Sequence, residues 1–349
     1  MAIQLEKELN EMQCKAASIT EGPVLIIAGA GSGKTRMITY RIAHMLEKGI
    51  PQSSILALTF TNKAAREMEA RIKELTGKKL SHLTVSTFHA FGVKILRESI
   101  NNLDGYRENY TIYDQADKNA AVKEAALHTG LGGENLDLYM VNNLISEIKT
   151  GRTKWDNTND VYKKLYDRYQ NHMVAYNAVD FDDLIVMPQI LFEKHPEVLQ
   201  GYRDRYQYIM VDEFQDTSMS QYNMVKMLGE TNRNVVVVGD DDQSIYSWRG
   251  ANYQNIVNFE KDFPERVEIK LEQNYRSTKN ILAAANKVIS NNTNRKEKEL
   301  WTGSAGGKAI EIFYPENEIK EAEFISDLIY KFAQEENIKF HDIGVLVRT

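Results

Sequence analysis

The chain holds a single cysteine, Cys14, in 349 residues. An internal disulfide is therefore excluded. A lone thiol fits a reducing compartment, and Cys14 reads as a small packed residue. No apolar stretch approaches the ~20 residues that a bilayer-spanning helix needs. The N-terminus, MAIQLEKELNEMQ, is charged and has no apolar h-region, so no secretory signal is read there and a cytoplasmic location is expected. There is no Cys/His cluster with metal-ligand spacing, no internal repeat and no low-complexity tract. An excess of basic residues is also missing: 43 Lys+Arg face 49 Asp+Glu, for a net charge of −6. That excludes a basic protein but not a basic groove. Residues 1–105 carry 14 Lys+Arg against 10 Asp+Glu, a local +4, and the rest of the chain is at −10. Charge alone leaves the partner undecided.

What is present is an ordinary globular composition, 42% hydrophobic and 26% charged, long enough for two or three domains. Apolar strands alternate with helices. PVLIIA, SILALTF and LTVSTF read as buried strands, each followed by a helical pattern. This implies a parallel sheet covered on both faces. From about 106 to 197 only helical periods are seen, so a mostly helical insertion is expected. Strands resume at YQYIMVD, NVVVVGD and VEIKLEQ. A last segment holds AIEIFY, a helix through IKEAEFISDLIYKFAQ, and DIGVLVRT, with a strand expected at the end of the chain.

The chemistry sits at strand ends. AGAGSGKT spans Ala28, Gly29, Ala30, Gly31, Ser32, Gly33, Lys34 and Thr35. It fits the phosphate-binding loop G-x-x-x-x-G-K-[S/T], with Ala in the first position. Small residues let backbone N–H groups turn inward around phosphate oxygens, and the helix N-terminus that follows favours negative charge. Lys34 would reach the β- and γ-phosphates, and the Thr35 hydroxyl would bind Mg²⁺. In YIMVDEFQD, Asp212 would hold Mg²⁺ through its water shell and Glu213 would act as general base. In VVVVGDDDQSIYSWRGA, Gln243 is placed to sense the γ-phosphate, while Tyr246, Trp248 and Arg249 offer faces on which bases stack.

The ordered set LNEMQ, AGAGSGKTR, LALTFTNKAAREMEARI, VSTFHAFG, DFDDL, IMVDEFQDT, VVGDDDQSIYSWRGA and LEQNYRS, spread over residues 9 to 277, closely resembles the UvrD/Rep/PcrA group of superfamily 1 DNA helicases. The resemblance implies a RecA-like P-loop NTPase sheet with a mostly helical inserted subdomain. The motor domain 1A is expected at 1–105 and 198–280, the insertion 1B at 106–197, and the start of a second RecA-like domain, 2A, at 281–349. It implies that Gln13 reads adenine, that Arg36 lies against the nucleotide, that Tyr275 stacks on adenine, and that Arg276 is an arginine finger. His89 resembles a DNA-contacting histidine. Phe60 can stack a base, and Thr61 and Asn62 can bond sugar-phosphate or cap the following helix. In DFDDL, Asp180 and Asp183 read as helix capping rather than as a catalytic pair. Lys149, Arg152 and Lys154 read as a basic turn, solvated or touching phosphate.

The expected cofactors are thus ATP and Mg²⁺. The expected partners are single-stranded DNA, a duplex junction and the remaining helicase domains of a longer chain, with no membrane partner. The family's further arginine-finger motif and its inserted 2B domain are not in these residues, so the sequence reads as the N-terminal part of a helicase. Two alternatives stand beside this: a P-loop NTPase with a substrate other than nucleic acid, and a nucleotide-dependent binding module. DNA dependence of the ATPase separates them.

Overall fold

A computed structural model describes residues 3–127, 129–131, 136–155, 160–246, 250, 254–292, 295–336 and 338–347. It has two compact units, Met1–Ser304 and Ala305–Thr349. The strands of the larger unit are β1 (Val24–Ala28), β2 (Ile55–Thr59), β3 (Thr84–Thr87), β4 (Thr111–Ile112), β5 (Ala178–Val179), β6 (Tyr208–Val211), β7 (Val235–Gly239) and β8 (Val267–Leu271). Six of them form one sheet in the order β3-β2-β6-β7-β1-β8, and every pairing is parallel. The α/β parallel-sheet class is as the sequence indicated.

Residues β1, β2 and β7 are buried along their whole length, as a sheet covered on both faces requires. The period of two sorts them between two cores. Leu25, Ile27, Leu56, Leu58, Val235 and Val237 face one side and meet Phe88, Phe91, Leu184 and Val225 from helices. Val24, Ile26, Ile55, Ala57, Val236 and Val238 face the other and meet Met37, Ile42, Met68 and Ile72. All six strands run the same way, so their C-terminal ends share one edge.

The helical insertion has a core of its own, made by residues such as Val122, Val141, Ile145, Leu165, Tyr169 and Ala178. The chain leaves and returns through the two-residue ladder β4–β5 (Thr111↔Ala178, Ile112↔Val179). The helix Asp183–Lys194, within the stretch read as insertion, contributes Leu184, Leu191 and Phe192 to the sheet's core instead.

Lys149 corrects the expectation of a solvated basic turn. Its side chain is 3% exposed, and its ammonium lies 3.0 Å from Asp180 and 2.8 Å from Asp183. Lys118 and the Tyr169 hydroxyl also reach Asp180. Burial works against both charges. Even so, Asp183 and Asp180 raise the Lys149 pKa, and Lys149 and Lys118 hold Asp180 below the usual carboxylate range. The expected capping is present too: the Asp183 N–H donates to Asp180 and the Asp180 N–H to Asp183. The network joins the insertion helix Leu138–Lys149 to the first turn of the helix on the sheet.

The smaller unit is built around the helix Glu318–Glu335, capped by the Asn317 side chain. Phe313 stacks on Phe324 with centroids 3.9 Å apart, and Lys308 pairs with Glu336 at 2.7 Å. The strands expected at AIEIFY and DIGVLVRT are not formed among the described residues. An alternating apolar pattern becomes a strand only with a neighbour to hydrogen-bond to. Ile312, Tyr314 and Leu346 remain exposed. Residues 281–304 lie in the larger unit. There Trp301 bridges Gln273 in parallel register, and the Asn274 N–H donates to the Trp301 carbonyl.

Lys149→Met removes one member of the buried network and leaves its carboxylates short of a cation. It should cost about 3–5 kcal/mol of stability in urea denaturation.

Candidate active site

The phosphate-binding loop leaves the C-terminal end of β1. The Gly29 N–H donates to the Leu271 carbonyl at 3.0 Å. Gly31 (φ 67°) and Gly33 (φ 80°) take the left-handed turns that curl the loop. The helix Lys34–Glu47 starts at Gly33 with no side chain capping it, so its first N–H groups stay turned toward the loop. The Ser32 hydroxyl is buried with no hydrogen-bond partner among the described residues, and the buried Lys34 ammonium faces the Glu213 carboxylate. A buried donor left unmet is expensive and marks where an anion belongs.

Across the sheet, β6 delivers Asp212 and Glu213. The Thr35 hydroxyl donates to Asp212 at 3.4 Å, and the Lys34 ammonium lies 3.1 Å from Glu213 Oε2. Burial, with Glu213 next to it, pushes the Asp212 carboxyl up to about 6. Glu213 stands in the left-handed region at φ 51°, a strained choice for a residue with a Cβ. Its carboxylate accepts from Gln215 Nε2 at 2.8 Å. Gln215, 2% exposed, takes the Asp240 N–H on its other amide atom at 2.9 Å. Gln243 in turn donates to Asp240. The ends of β6 and β7 are thus hydrogen-bonded together through a glutamine that sequence reading did not single out.

The loop after β8 docks on the phosphate loop. Asn274 donates to the Ala30 carbonyl at 2.6 Å, and the Tyr275 N–H to the Gly31 carbonyl at 3.0 Å. Asn274 Oδ1 also fixes the backbone of Arg276, whose side chain is exposed. The Tyr275 ring is about half exposed, and its hydroxyl meets Asn10 and Gln273. Gln13 donates to the Ser32 carbonyl at 2.7 Å and accepts the Asn10 N–H at 3.2 Å. A primary amide has two donors and two acceptor sites, so the Ser32 and Asn10 contacts use one of each. Arg36 turns away from the loop, donating to Glu8 and lying over the Tyr40 ring.

A groove of about 400 Å³ opens along the ends of β2, β3 and β7. Phe60 stacks on Tyr246 with centroids 5.0 Å apart, and His89 meets Phe181 at 5.8 Å. Arg152 and Asp182 line the same space. Burial lowers the His89 pKa, which favours the uncharged ring. Thr61 and Asn62 lie exposed where the helix begins. Thr61 accepts the Ala64 N–H and is the cap, while Asn62 is only within weak reach of Thr87. Trp248 and Arg249 lie outside the described residues. Phe181 was missed in the sequence, where DFDDL was read for its carboxylates. It is 57% exposed, an aromatic turned outward between two anchored aspartates.

Residues 9–264 match the UvrD/REP helicase N-terminal domain. The chain belongs to the UvrD/REP helicase family. Residues 269–349 match the UvrD-like helicase C-terminal domain. Among curated relatives, the chain is 45% identical to the ATP-dependent DNA helicase PcrA of Staphylococcus epidermidis (strain ATCC 35984) over 354 residues, covering 99% of this chain and 48% of the relative. It is equally similar to the ATP-dependent DNA helicase PcrA of Staphylococcus aureus (strain Mu50), with the same coverage. The chain spans about half the length of the curated relatives it matches.

A Cβ on Gly31 would lie 2.7 Å from Asn274 and 2.8 Å from Arg276, in a left-handed backbone, whereas Gly49 is left-handed with open space around it. Gly49→Ala should therefore cost about 1–2 kcal/mol, the backbone term alone. Gly31→Ala should cost more and loosen the 274–276 loop. Urea denaturation of both variants checks the difference.

Proposed function

We propose that this chain is the N-terminal motor portion of an ATP-dependent DNA helicase that moves on single-stranded DNA. One observation carries the reading: the loop after β7 holds Gln243, linked through Asp240 and Gln215 to Glu213, and Tyr246, stacked on Phe60 in the aromatic groove, only three residues apart. A change at the γ-phosphate and a change in the grip on a base would then be one movement of one short loop. The aromatic groove suits single strands, because every base has a face to stack.

In this reading the triphosphate lies on the N–H groups of the phosphate loop, with adenine between Gln13 and Tyr275. Lys34 exchanges the Glu213 carboxylate for the β- and γ-phosphates, which frees Glu213 to take a proton from the attacking water. The water oxygen bonds to the γ-phosphorus as its bond to the bridging oxygen breaks. Lys34, Gln243 and Arg276 stabilise the charge that spreads over the transferring group. Thr35 and Asp212 fit Mg²⁺: they are hydroxyl and carboxylate oxygen ligands side by side, and the carboxylate is buried. Mg²⁺ bound there would neutralise charge on the β/γ oxygens.

The domain assignment belongs to the same proposal. Domain 1A comprises 1–105 and 198–280, the helical insertion 1B lies in 106–197 with its independent core between the β4–β5 ladder, and 281–349 begin domain 2A. Further helicase domains would complete the motor on a duplex junction in the cytoplasm. No helix among the described residues is long and apolar enough to cross a membrane.

The decisive experiment is the ATPase rate of the full-length chain with and without single-stranded DNA. Strong stimulation is expected, and turnover indifferent to DNA would favour a different substrate. Lys34→Ala should abolish turnover in a folded protein. Glu213→Gln should bind nucleotide and hydrolyse it very slowly. Phe181→Ala should weaken single-stranded DNA binding by about 1–3 kcal/mol at fixed salt, with nucleotide affinity unchanged.

A further inference from the structure

Three successive carboxylates, Asp240, Asp241 and Asp242, crowd the end of β7, with acceptor atoms within 4.8 Å of one another. Crowding of this kind in a buried place needs a cation. The cation is Lys298. Its side chain is fully buried, and its ammonium lies 3.0 Å from Asp240, 2.5 Å from Asp241 and 2.9 Å from Asp242, where a metal ion would otherwise sit. Of the three aspartates, Arg295 pairs with Asp242, at 2.8 Å, and it also donates to the Lys298 carbonyl.

Asp240 divides its carboxylate between two partners. Oδ1 faces Lys298, and Oδ2 accepts a hydrogen from the Gln243 amide. Its backbone N–H goes to Gln215, which also holds Glu213. The Gln243 amide nitrogen has two hydrogens. Asp240 takes one and thereby aims the other. Lys298 lies on a strap, residues 295–302, that also crosses the phosphate loop, where a Cβ on Gly29 would run into Leu300, and pairs with the adenine-side loop through Trp301.

We propose that Lys298 is a positioning residue for ATP hydrolysis, acting through Asp240 to fix the Gln243 amide at the γ-phosphate. The inference rests on the ATPase reading above. Burial alone would lower the Lys298 pKa, but Asp240 and its neighbours raise it on balance, so the strap delivers a full positive charge. Without it, mutual repulsion of the carboxylates would swing the 240–246 loop, and with it both Gln243 and Tyr246. The P-loop, Lys34 and the adenine contacts would stay in place, so binding should survive where turnover does not.

The test is a double-mutant cycle in the full-length chain, with Lys298→Met, Gln243→Ala and the pair, reading kcat and KM for ATP with saturating single-stranded DNA. Lys298→Met should lower kcat at least about tenfold and change KM by less than about threefold. The double variant should be no more than about twofold slower than Gln243→Ala alone, because both act through one amide. A wild-type kcat in Lys298→Met, fully additive losses, or equal losses in kcat and affinity would each overturn the proposal. If Lys298→Met does not fold, Asp241→Asn/Asp242→Asn with and without Lys298→Met replaces it, since the charge deficit is then offset and only Asp240 loses its ammonium. The same tenfold loss in kcat is expected, and its absence overturns the proposal. A wild-type protein whose ATPase ignores DNA would instead count against the helicase reading and leave the Lys298 cycle to be scored on basal turnover.

Discussion

Strands buried on both faces of a parallel sheet leave little room for polar side chains along their length. Val, Ile and Leu occupy both surfaces of β1, β2 and β7, and the period of two leaves no solvent side. Every group able to do chemistry is therefore driven to the strand ends. Because the six strands are parallel, those ends are on one edge. The phosphate loop, Asp212 with Glu213, Gln243, Phe60 and His89 are neighbours for that reason alone. Their closeness in space is a product of how the apolar residues are arranged.

Crowding on one edge brings a difficulty, since that edge also gathers carboxylates. Asp212, Glu213, Asp216, Asp240, Asp241 and Asp242 all lie at the ends of β6 and β7. Burial pushes Asp212 and Asp216 up to about 6. The structure meets this with cations delivered from elsewhere: Lys34 from the next helix and Lys298 from the strap. Gln215, neutral and buried, joins the two acidic ends without adding charge. The insertion is attached on the same principle, with Lys149 and Lys118 set into Asp180, Asp182 and Asp183. Clusters of this kind are costly to bury and lose much if one member is removed, so they specify where two parts must meet.

What was legible in the sequence follows from these facts. The phosphate loop, Asp212 and Glu213 are contiguous runs at the ends of apolar strands, and both pattern and chemistry survive in one dimension. The capping role of Thr61 and the Asp180–Asp183 pair was legible for the same reason. Lys298 was not, because it meets Asp241 across 57 residues. Nor was Lys149, whose aspartates lie 31 and 34 residues away. A lysine in sequence looks like a solvated lysine until the fold closes over it. Phe181 was hidden by its charged neighbours. AIEIFY and DIGVLVRT show the converse error, since alternation is a property of the segment whereas a strand is a property of a pair.

The pairing of β8 with β1 bears on how such proteins can be cut and recombined. The stretch matched to the C-terminal family domain begins at 269, within β8, whose residues 267–271 lie beside β1 in continuous parallel register. The borderline of sequence kinship therefore runs through a sheet and does not coincide with the boundary between the two compact units, which comes after Ser304. Severing the polypeptide at the former would strip an outer ribbon from the sheet and bare the hydrogen-bonding edge of β1, an invitation to adhesion between molecules. It would also carry away the strap and the loop that seats Tyr275. In evolutionary exchange or in the laboratory, a clean graft would have to take residues 269–304 along with the N-terminal stretch.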